Sequence, residues 1–254
     1  MTTRIEANCF RLDRSLTADE LTKYTRLIPD MAPRGYLQSI RIEDASGKSL
    51  ETRGPTDCFS ALALWDRHGF PADFSGKTVL DVGCNGGFFS LVAKLRGAKR
   101  VMGVDGRIDR IDQARLVREI TAIDVDFQVG DGQNLDEHVG PFDFTINTGV
   151  MYHLQDPMHF LARVGRITRE AMFVESELLT DPRCAEHAWF IEKTYAGDPS
   201  NWWIFGPLCL ERMLRTAGFR HVRFQGFTSI PSAGTTTPEG FERQGRGVFI
   251  CHKR

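Results

Sequence analysis

The sequence predicts an α/β fold in which a mostly parallel sheet carries helices on both faces. From Lys77 onward, short runs rich in β-branched and aromatic residues alternate with stretches compatible with helices. Such alternation is typical of strand–helix–strand units, in which neighbouring strands run parallel. The predicted strands are KTVLDVG, KRVMGVD, DVDFQVG, FDFTINTG and AMFVES.

Two further strand candidates, HVRFQGF and GVFICHK, follow Gly218. A short loop rich in Ser, Thr, Gly and Pro separates them, and we therefore expect them to pair antiparallel.

Residues 1–74 are predicted to form an accessory layer of helices and strands, ahead of a main domain spanning residues 75–254. The stretch LTADELTKYTRLI is a helix candidate, with Thr17 as its N-cap and Glu20 three positions later. Pro29, Pro33 and Gly35 are expected to end it. Extended pieces around a turn at Ser46-Gly47 follow, and then an amphipathic helix, CFSALALWDRHGF.

Composition excludes several classes of protein. The 254 residues are 41% hydrophobic and 26% charged, which is enough for a full core. The net charge of −1 provides no global attraction for nucleic acid or an anionic membrane. No apolar stretch approaches the roughly 20 residues that cross a bilayer, and no secretory segment is visible at the N-terminus. The six scattered cysteines lack metal-site spacing, and we expect a cytoplasmic protein with reduced thiols and no membrane contact.

The chemistry begins at DVGCNGG, where a buried strand enters a glycine-rich turn and then a helix. Glycines let the backbone approach a ligand closely, although a tight connection alone would also use them. Dinucleotide-binding proteins carry G-x-G-x-x-G and face a pyrophosphate, which a nearby carboxylate would repel. Asp81, expected inside this turn, instead suits a ligand with ammonium and sulfonium groups.

Two more acids end the next two strands. Asp105 lies 22 residues after Gly83, the distance at which an acid commonly accepts ribose hydroxyls, and Asp131 ends the third strand. Either alone could be a solvated loop acid or a helix cap. Carboxylates at the ends of adjacent parallel strands line one crevice, which predicts a ligand site.

These motifs, in this order, resemble the class I S-adenosylmethionine-dependent methyltransferases. The resemblance covers roughly Ser75 to the C-terminus and includes VMGVDGR, VGDGQ and FDFTINTGVMYHL. It implies a Rossmann-like, seven-stranded sheet with an antiparallel last strand, and S-adenosyl-L-methionine as cofactor. The implied cofactor-binding residues are Asp81, Gly83, Cys84, Asn85, Gly87, Asp105, Gly106, Arg107, Asp131, Gly132, Gln133, Asn147 and Gly149. Many members have glycine at the position of Asn85, but Asn tolerates positive φ better than most residues.

Within this superfamily, GVMYHLQDPMHFL looks like the subgroup that includes transfer-RNA wobble-uridine carboxymethyltransferases. In those enzymes arginines follow the histidine, whereas here Leu154 and Gln155 follow, and no basic face is evident. The leading expectation is therefore methyl transfer to a small-molecule acceptor. Transfer RNA is the alternative partner, and a non-catalytic nucleotide-binding module is a third possibility.

His153 and Tyr152 are the catalytic candidates, because they follow the fourth strand on the loop that should face cofactor and acceptor. His153 titrates near neutrality and would act as a base; alternatively it caps the next helix or bonds a backbone carbonyl. Tyr152 would orient the acceptor or simply pack. Glu175 and His187 are weaker candidates for substrate contact.

An insert, residues 176–206, is longer than usual connections and dense in aromatic residues. We expect it to cover the acceptor. Its aromatic residues would either line an apolar wall or anchor the insert to the core; they are Trp189, Tyr195, Trp202 and Trp203.

Overall fold

The computed structural model describes residues 3–6, 9–30, 38–52, 54, 56–57, 62–63, 65–66, 69–135, 139–195, 197–229 and 245–254. The chain separates into two compact units, Met1–Asp131 and Gly132–Arg254. Each unit combines strands and helices, as expected for an α/β fold. The predicted domain division after residue 74 stays a prediction.

The first unit contains the N-terminal region and three strands of the predicted sheet. Its strands are β1 (Thr3–Glu6), β2 (Cys9–Leu12), β3 (Gln38–Ser39), β4 (Arg41–Glu43), β5 (Ser49–Glu51), β6 (Thr56–Asp57), β7 (Thr78–Val82), β8 (Arg100–Asp105) and β9 (Asp126–Val129). Its helices are α1 (Ala18–Asp30), α2 (Phe88–Leu95) and α3 (Ile108–Thr121).

The N-terminal strands form a small sheet in the order β1-β2-β4-β5. The α1 helix begins as predicted, because the Thr17 hydroxyl accepts the Glu20 N–H at 3.1 Å and the Glu20 carboxylate accepts the Thr17 N–H at 2.8 Å. The helix passes through Pro29 to Asp30, and the other residues expected to end it, Pro33 and Gly35, lie outside the described residues. A proline in the last turn removes only one N–H, which a helix end tolerates.

This layer packs against the first strand–helix unit. Phe10 of β2 meets Phe88 of α2 edge-to-face, with ring centroids 6.0 Å apart. The Thr3 hydroxyl donates to the carbonyl of Thr121 at the end of α3. Most of the predicted helix CFSALALWDRHGF lies outside the described residues, but Trp65 within it is fully buried against Phe74.

In the same unit, β7, β8 and β9 run parallel and lie side by side, as predicted. β7 and β8 are buried nearly throughout, which is typical of parallel strands covered on both faces.

The second unit holds the remaining strands and the insert. Its strands are β10 (Phe142–Thr148), β11 (Thr168–Leu178), β12 (Ala188–Phe190), β13 (Trp203–Phe205), β14 (His221–Ser229) and β15 (Gly245–His252). Its helices are α4 (Pro157–Ile167) and α5 (Pro207–Thr216), and short 3₁₀ turns occur at Gly132–Asn134, Met151–His153 and Pro182–Cys184.

The strand directions confirm the predicted antiparallel ending. β10 and β11 are parallel, β15 runs antiparallel to β11, and β14 runs antiparallel to β15. The insert adds the antiparallel pair β12 and β13, which the sequence analysis did not predict. The Ser- and Thr-rich loop before β15 lies outside the described residues.

The cysteines of the described part are free thiols: Cys9, Cys84, Cys184 and Cys251 are buried and Cys209 is partly buried. Cys58 lies outside the described residues. In that same part of the chain, no helix is long and apolar enough to cross a membrane.

Candidate active site

The turn after β7 has the left-handed backbone that its sequence predicts. Gly83, Asn85 and Gly87 have φ values of 70°, 51° and 84°. The amides of Gly83 and Cys84 both donate to the carbonyl of Val104, at 2.7 and 3.1 Å, which holds the turn against β8. Asn85 adopts this conformation without being a glycine, because its side-chain oxygen accepts the Gly86 N–H at 2.8 Å and stabilises the left-handed backbone.

Gly87 is required for a second reason. A Cβ atom at this position would lie 2.5 Å from Cζ of Phe127 and 3.1 Å from Cβ of Ala114. The turn therefore packs directly on the ring of Phe127 in β9. The positive φ of Gly87 and this close contact both exclude a larger residue at position 87.

Asp81 does not lie in the turn, as the sequence suggested, but within β7, where it is 1% exposed. Its carboxylate accepts a hydrogen bond from the Ser90 hydroxyl at 2.5 Å. Burial raises the pKa of Asp81 to about 7, and the nearby charge of Asp105 adds to this increase. The strand continues through Val82, and its residues are buried on both faces, so Asp81 is enclosed like its neighbours along β7.

Asp105 ends β8 and accepts two backbone hydrogen bonds, from Asn85 at 3.0 Å and Arg107 at 2.9 Å. An ionised carboxylate has about four acceptor sites, so two remain for ribose hydroxyls. The structure brings Asp105 to the glycine turn, as the spacing predicted.

The other first-unit candidates differ in their burial and contacts. The Cys84 thiol is buried, and burial raises its pKa well above the ordinary value, so it stays neutral. Gly106 is exposed, and the Arg107 guanidinium is paired with Asp109 at 2.8 Å. Asp131 is exposed at the end of this unit. Their contacts to the cofactor stay predictions.

In the second unit, Asn147 at the end of β10 is fully buried, and neither its amide nitrogen nor its amide oxygen has a partner among the described residues. An orphaned buried amide costs about 1–3 kcal/mol per lost hydrogen bond and calls for an explanation. A polar ligand that supplies both bonds would explain it. S-adenosylmethionine carries both hydrogen-bond donors and acceptors, so an unmatched amide of this kind fits that cofactor.

Gln133 lies in the 3₁₀ turn Gly132–Asn134. Its side-chain oxygen accepts the Asp156 N–H at 3.1 Å, which ties this turn to the start of α4. Asp156 caps α4 by accepting the His159 N–H at 2.9 Å, so His153 does not cap this helix. The predicted cofactor contacts of Gly132 and Gln133 stay predictions.

Gly149 packs on a cluster of three polar side chains. The Arg246 guanidinium is paired through two nitrogens with the Glu175 carboxylate, with Nη2 2.5 Å from Oε2, and Nη1 donates to the Tyr152 hydroxyl at 2.7 Å. A Cβ on Gly149 would lie 3.0 Å from Nη2 of Arg246 and 3.4 Å from the Tyr152 hydroxyl. The loop after β10 therefore fits closely against the cluster.

These contacts set the protonation states in the cluster. Burial raises the pKa of the Tyr152 phenol, so it stays neutral, and its hydroxyl hydrogen has no acceptor among the described residues. Burial alone would lower the pKa of Arg246, but the paired Glu175 raises it, which keeps the guanidinium charged. Tyr152 can therefore donate a hydrogen bond to an acceptor while Arg246 holds its oxygen in place.

His153 lies beside Tyr152, with ring centroids 4.2 Å apart. Its Nδ1 atom is 3.2 Å from the backbone carbonyl oxygen of Ser200 and 3.1 Å from the Ser200 hydroxyl oxygen. The carbonyl bond is one of the alternatives that the sequence left open. Burial lowers the pKa of His153, so its imidazole is neutral near pH 7.

The insert contacts the loop that carries both catalytic candidates. The Trp202 N–H donates to the carbonyl of Tyr152 at 2.7 Å, and Nε1 of Trp203 donates to the carbonyl of Gln155 at 3.3 Å. Together with the contact between His153 and Ser200, these bonds hold the insert on this loop.

The aromatic residues of the insert divide into two groups. Tyr195 is buried in a small core with Ile191 and Ile204, and Trp189 packs against it, which is the anchoring role. Trp203 is partly exposed and lies 5.0 Å, between ring centroids, from Phe190, which is 49% exposed. His187 is exposed, and its backbone is held in the insert: its N–H donates to the carbonyl of Cys184 at 3.0 Å and its carbonyl accepts the Gly206 N–H at 2.7 Å.

Sequence reasoning missed Arg246 and Ser200. A signal for Arg246 existed, because Glu175 lies in an apolar stretch of β11, and a buried ionised carboxylate favours a cationic partner. The partner's identity depends on the register between β11 and β15, which the sequence does not fix. Ser200 gave no signal, since serine is ordinary in a polar loop.

Comparison with known proteins supports one family. The family model described as "Methyltransferase domain" matches residues 59–223. A curated relative from Marinobacter nauticus, named tRNA U34 carboxymethyltransferase, is 29% identical over 90% of this chain and 69% of its own length. A relative of the same name from Pseudomonas aeruginosa is 30% identical over 74% of this chain and 61% of its own length. The chain thus spans about two thirds of the length of these relatives.

Solved structures show the same fold at low sequence identity. The N-terminal domain of EvdMO1, determined with S-adenosylhomocysteine and D-fucose, has a TM-score of 0.64 and 15% identity, covering 92% of this chain and 97% of its own. Magnesium protoporphyrin IX methyltransferase from Synechocystis PCC 6803, with bound S-adenosylhomocysteine, has a TM-score of 0.53 and 18% identity, covering 77% and 80%. The chain belongs to the S-adenosylmethionine-dependent methyltransferases of Rossmann-like α/β fold.

Proposed function

We propose that this enzyme transfers a methyl group to a hydroxyl of a small-molecule acceptor, with His153 as the base. The observation that carries the proposal is the contact between Nδ1 of His153 and the carbonyl oxygen of Ser200. A carbonyl oxygen only accepts, so Nδ1 carries the hydrogen and Nε2 keeps its lone pair. A hydroxyl acceptor must lose a proton during transfer, which a neutral Nε2 can take.

Charge supports a small acceptor over a nucleic acid. The net charge is −1, and several surface arginines of the second unit are paired with carboxylates. Arg212 is 2.9 Å from Glu186, and Arg215 is 2.9 Å from Glu211. Arginines already neutralised in this way contribute less to binding of phosphates.

The exposed Phe190 and the partly exposed Trp203 support an acceptor with a flat ring or sugar face. Trp203 donates a hydrogen bond to the carbonyl of Gln155, two residues after His153. This bond holds the aromatic surface on the loop that carries the base. Aromatic faces bind such groups through apolar contact and exclude water.

The deciding experiment is a screen for S-adenosylhomocysteine production with fractionated metabolites and with transfer RNA. We expect turnover with a metabolite fraction and a methylated hydroxyl in the product. The His153→Ala variant, which should retain cofactor binding, is the control for non-enzymatic transfer. Turnover confined to the RNA fraction would contradict the small-molecule assignment.

Carboxymethyl transfer to transfer RNA is the second candidate, favoured by the names of the curated relatives. Filter binding to bulk transfer RNA at several salt concentrations tests it independently. Weak binding is expected from the neutral charge, whereas submicromolar, strongly salt-dependent binding would place this candidate first.

A further inference from the structure

We propose that Ser200, itself held by Asp198, is a positioning residue that fixes His153 in the tautomer with its hydrogen on Nδ1. The inference rests on the proposed function, in which Nε2 of His153 takes the acceptor's proton. It assigns roles to two residues of the insert that motif comparison did not indicate.

Two oxygen atoms of Ser200 face Nδ1 of His153. The backbone carbonyl oxygen lies at 3.2 Å and the hydroxyl oxygen at 3.1 Å. The hydroxyl hydrogen is already directed elsewhere, because Oγ donates to Oδ1 of Asp198 at 2.6 Å. Both Ser200 oxygens therefore present lone pairs to Nδ1, and only a hydrogen on Nδ1 satisfies them.

Asp198 holds Ser200 in this orientation. Its Oδ1 atom accepts the Ser200 N–H at 2.8 Å in addition to the hydroxyl. The Asp198 N–H donates to the carbonyl of Tyr195 at 3.0 Å, and Tyr195 is buried in the core of the insert. The chain of contacts thus runs from a packed core, through Asp198 and Ser200, to the imidazole.

The arrangement suits the transfer step. The acceptor oxygen forms a bond to the methyl carbon while the carbon–sulfur bond breaks, its electron pair stays on sulfur, and the acceptor's proton passes to Nε2. The imidazolium that results carries hydrogens on both nitrogens, so the Nδ1 hydrogen bond to Ser200 persists. The Ser200 hydroxyl then connects the negative Asp198 carboxylate to the positive imidazolium ring, and this connection stabilises the imidazolium.

Other charges also act on His153. Burial is the largest influence and lowers the pKa of His153, and the Arg246 guanidinium lowers it as well. Three contacts raise this pKa: the hydrogen bond to the Ser200 carbonyl and the negative charges of Asp198 and Glu177. Asp198→Asn removes one raising contribution and is therefore expected to lower the pKa of His153. Glu177 remains in that variant, so the expected change is a shift and not a loss of titration.

Nitrogen-15 NMR of the histidine-labelled full chain tests the proposal without an acceptor or cofactor. The His153→Gln variant identifies the relevant signals. We expect an unprotonated Nε2 in the wild type at neutral pH, and a partial rise of the Nε2–H form in Ser200→Ala, which removes the hydroxyl acceptor and keeps the backbone carbonyl. Ser200→Thr, which keeps the hydroxyl, should behave like the wild type, and Asp198→Asn should titrate at lower pH.

An Nε2–H tautomer in the wild type would overturn the proposal, as would a tautomer and pKa unchanged in both Ser200→Ala and Asp198→Asn. Because Ser200 is exposed on the insert, its variants should fold, and melting curves check this. Once an acceptor is known, Ser200→Ala should lower kcat about 3–10-fold with KM nearly unchanged, and Ser200→Thr should restore it.

The role of His153 as the base and the role of Ser200 in fixing its tautomer can be disproved independently. If NMR finds the expected tautomers but His153→Ala keeps full turnover, the base assignment is wrong while the role of Ser200 in fixing the ring stands. If His153→Ala is inactive but Ser200→Ala leaves tautomer and kcat unchanged, the proposed function stands and the role of Ser200 is wrong.

Discussion

Arg246 and Glu175 form an ion pair diagonally across two antiparallel strands. Glu175 of β11 lies opposite Val248 of β15, so Arg246 is displaced by two positions along the same face. The carbonyl of Glu175 also accepts the Gly149 N–H at 2.9 Å, and Arg246 holds the Tyr152 hydroxyl. One pair of residues therefore links the last strand to the loop of the catalytic candidates.

Glu175→Gln should destabilise the protein by about 1–3 kcal/mol, because it leaves the Arg246 cation without its partner. The Glu175 side chain is 11% exposed and the Arg246 side chain 34%, so the effect should fall below that of a fully buried pair. Urea unfolding measures it. Glu211→Gln breaks the more exposed pair with Arg215 and should cost under about 0.5 kcal/mol; equal losses would contradict the prediction.

Asp105→Ala should weaken binding of S-adenosylhomocysteine by about 1.5–3 kcal/mol in calorimetry, through loss of charge-assisted bonds to the ribose. Asp105 also accepts the Asn85 and Arg107 amides, so part of the loss comes from a looser turn. Asp124→Ala, at a carboxylate that is 95% exposed, is the control. Unchanged affinity in Asp105→Ala, or wild-type binding of NAD alone, would reject the ribose assignment.

Asp81 should make the protein less stable as pH rises from about 4 to about 7. Its folded pKa of about 7 exceeds the ordinary value of 3.8, so the folded state binds the extra proton in this window. The difference in unfolding free energy, Asp81→Asn minus wild type, should rise by up to about 1.4 kcal/mol per pH unit there and then level off.

The exposed Asp73 provides a control of opposite sign. Hydrogen bonds from Ser75 lower its pKa, so its ionised form favours folding and this contribution is lost as pH falls through the folded pKa. A flat difference for Asp81→Asn over pH 4–7 would show that Asp81 is ionised in the folded protein.

Gly87→Ala should cost about 2–4 kcal/mol, since it combines a left-handed backbone with a clash against Phe127. Gly76→Ala is the matched control, because Gly76 has φ of +75° but no atom within 4 Å of the added Cβ. It should cost only the backbone strain, about 1–2 kcal/mol. Thermal unfolding of both variants separates the two effects, and equal costs would mean that the Phe127 contact relaxes freely.

His153→Ala should lower turnover about 10²–10⁴-fold with little change in cofactor affinity. A base acts when deprotonated, so wild-type turnover should rise with pH through a midpoint below the ordinary histidine value of 6.5, because burial lowers the pKa. The rise should vanish in the variant. Normal turnover per folded molecule, accompanied by a lower melting temperature, would assign His153 a structural role only.

The local elements of this fold follow from the sequence. The strands from β7 to β11 were predicted from their apolar runs, with ends that differ by at most three residues from those observed. The Thr17–Glu20 cap and the turn at Asn85 depend on residues a few positions apart. Such features are encoded locally because the interacting groups are already close along the chain.

The chemical environment of the candidate site depends on tertiary structure. The inward direction of Asp81 depends on the exact end of β7, and its raised pKa on burial by the surrounding core. The contacts of Arg246 with Glu175 and of Ser200 with His153 join residues 71 and 47 positions apart. Neither strand register nor the path of the insert can be read from local patterns. They are set when the strands pair and the insert packs, because only then do these side chains lose water and find one another.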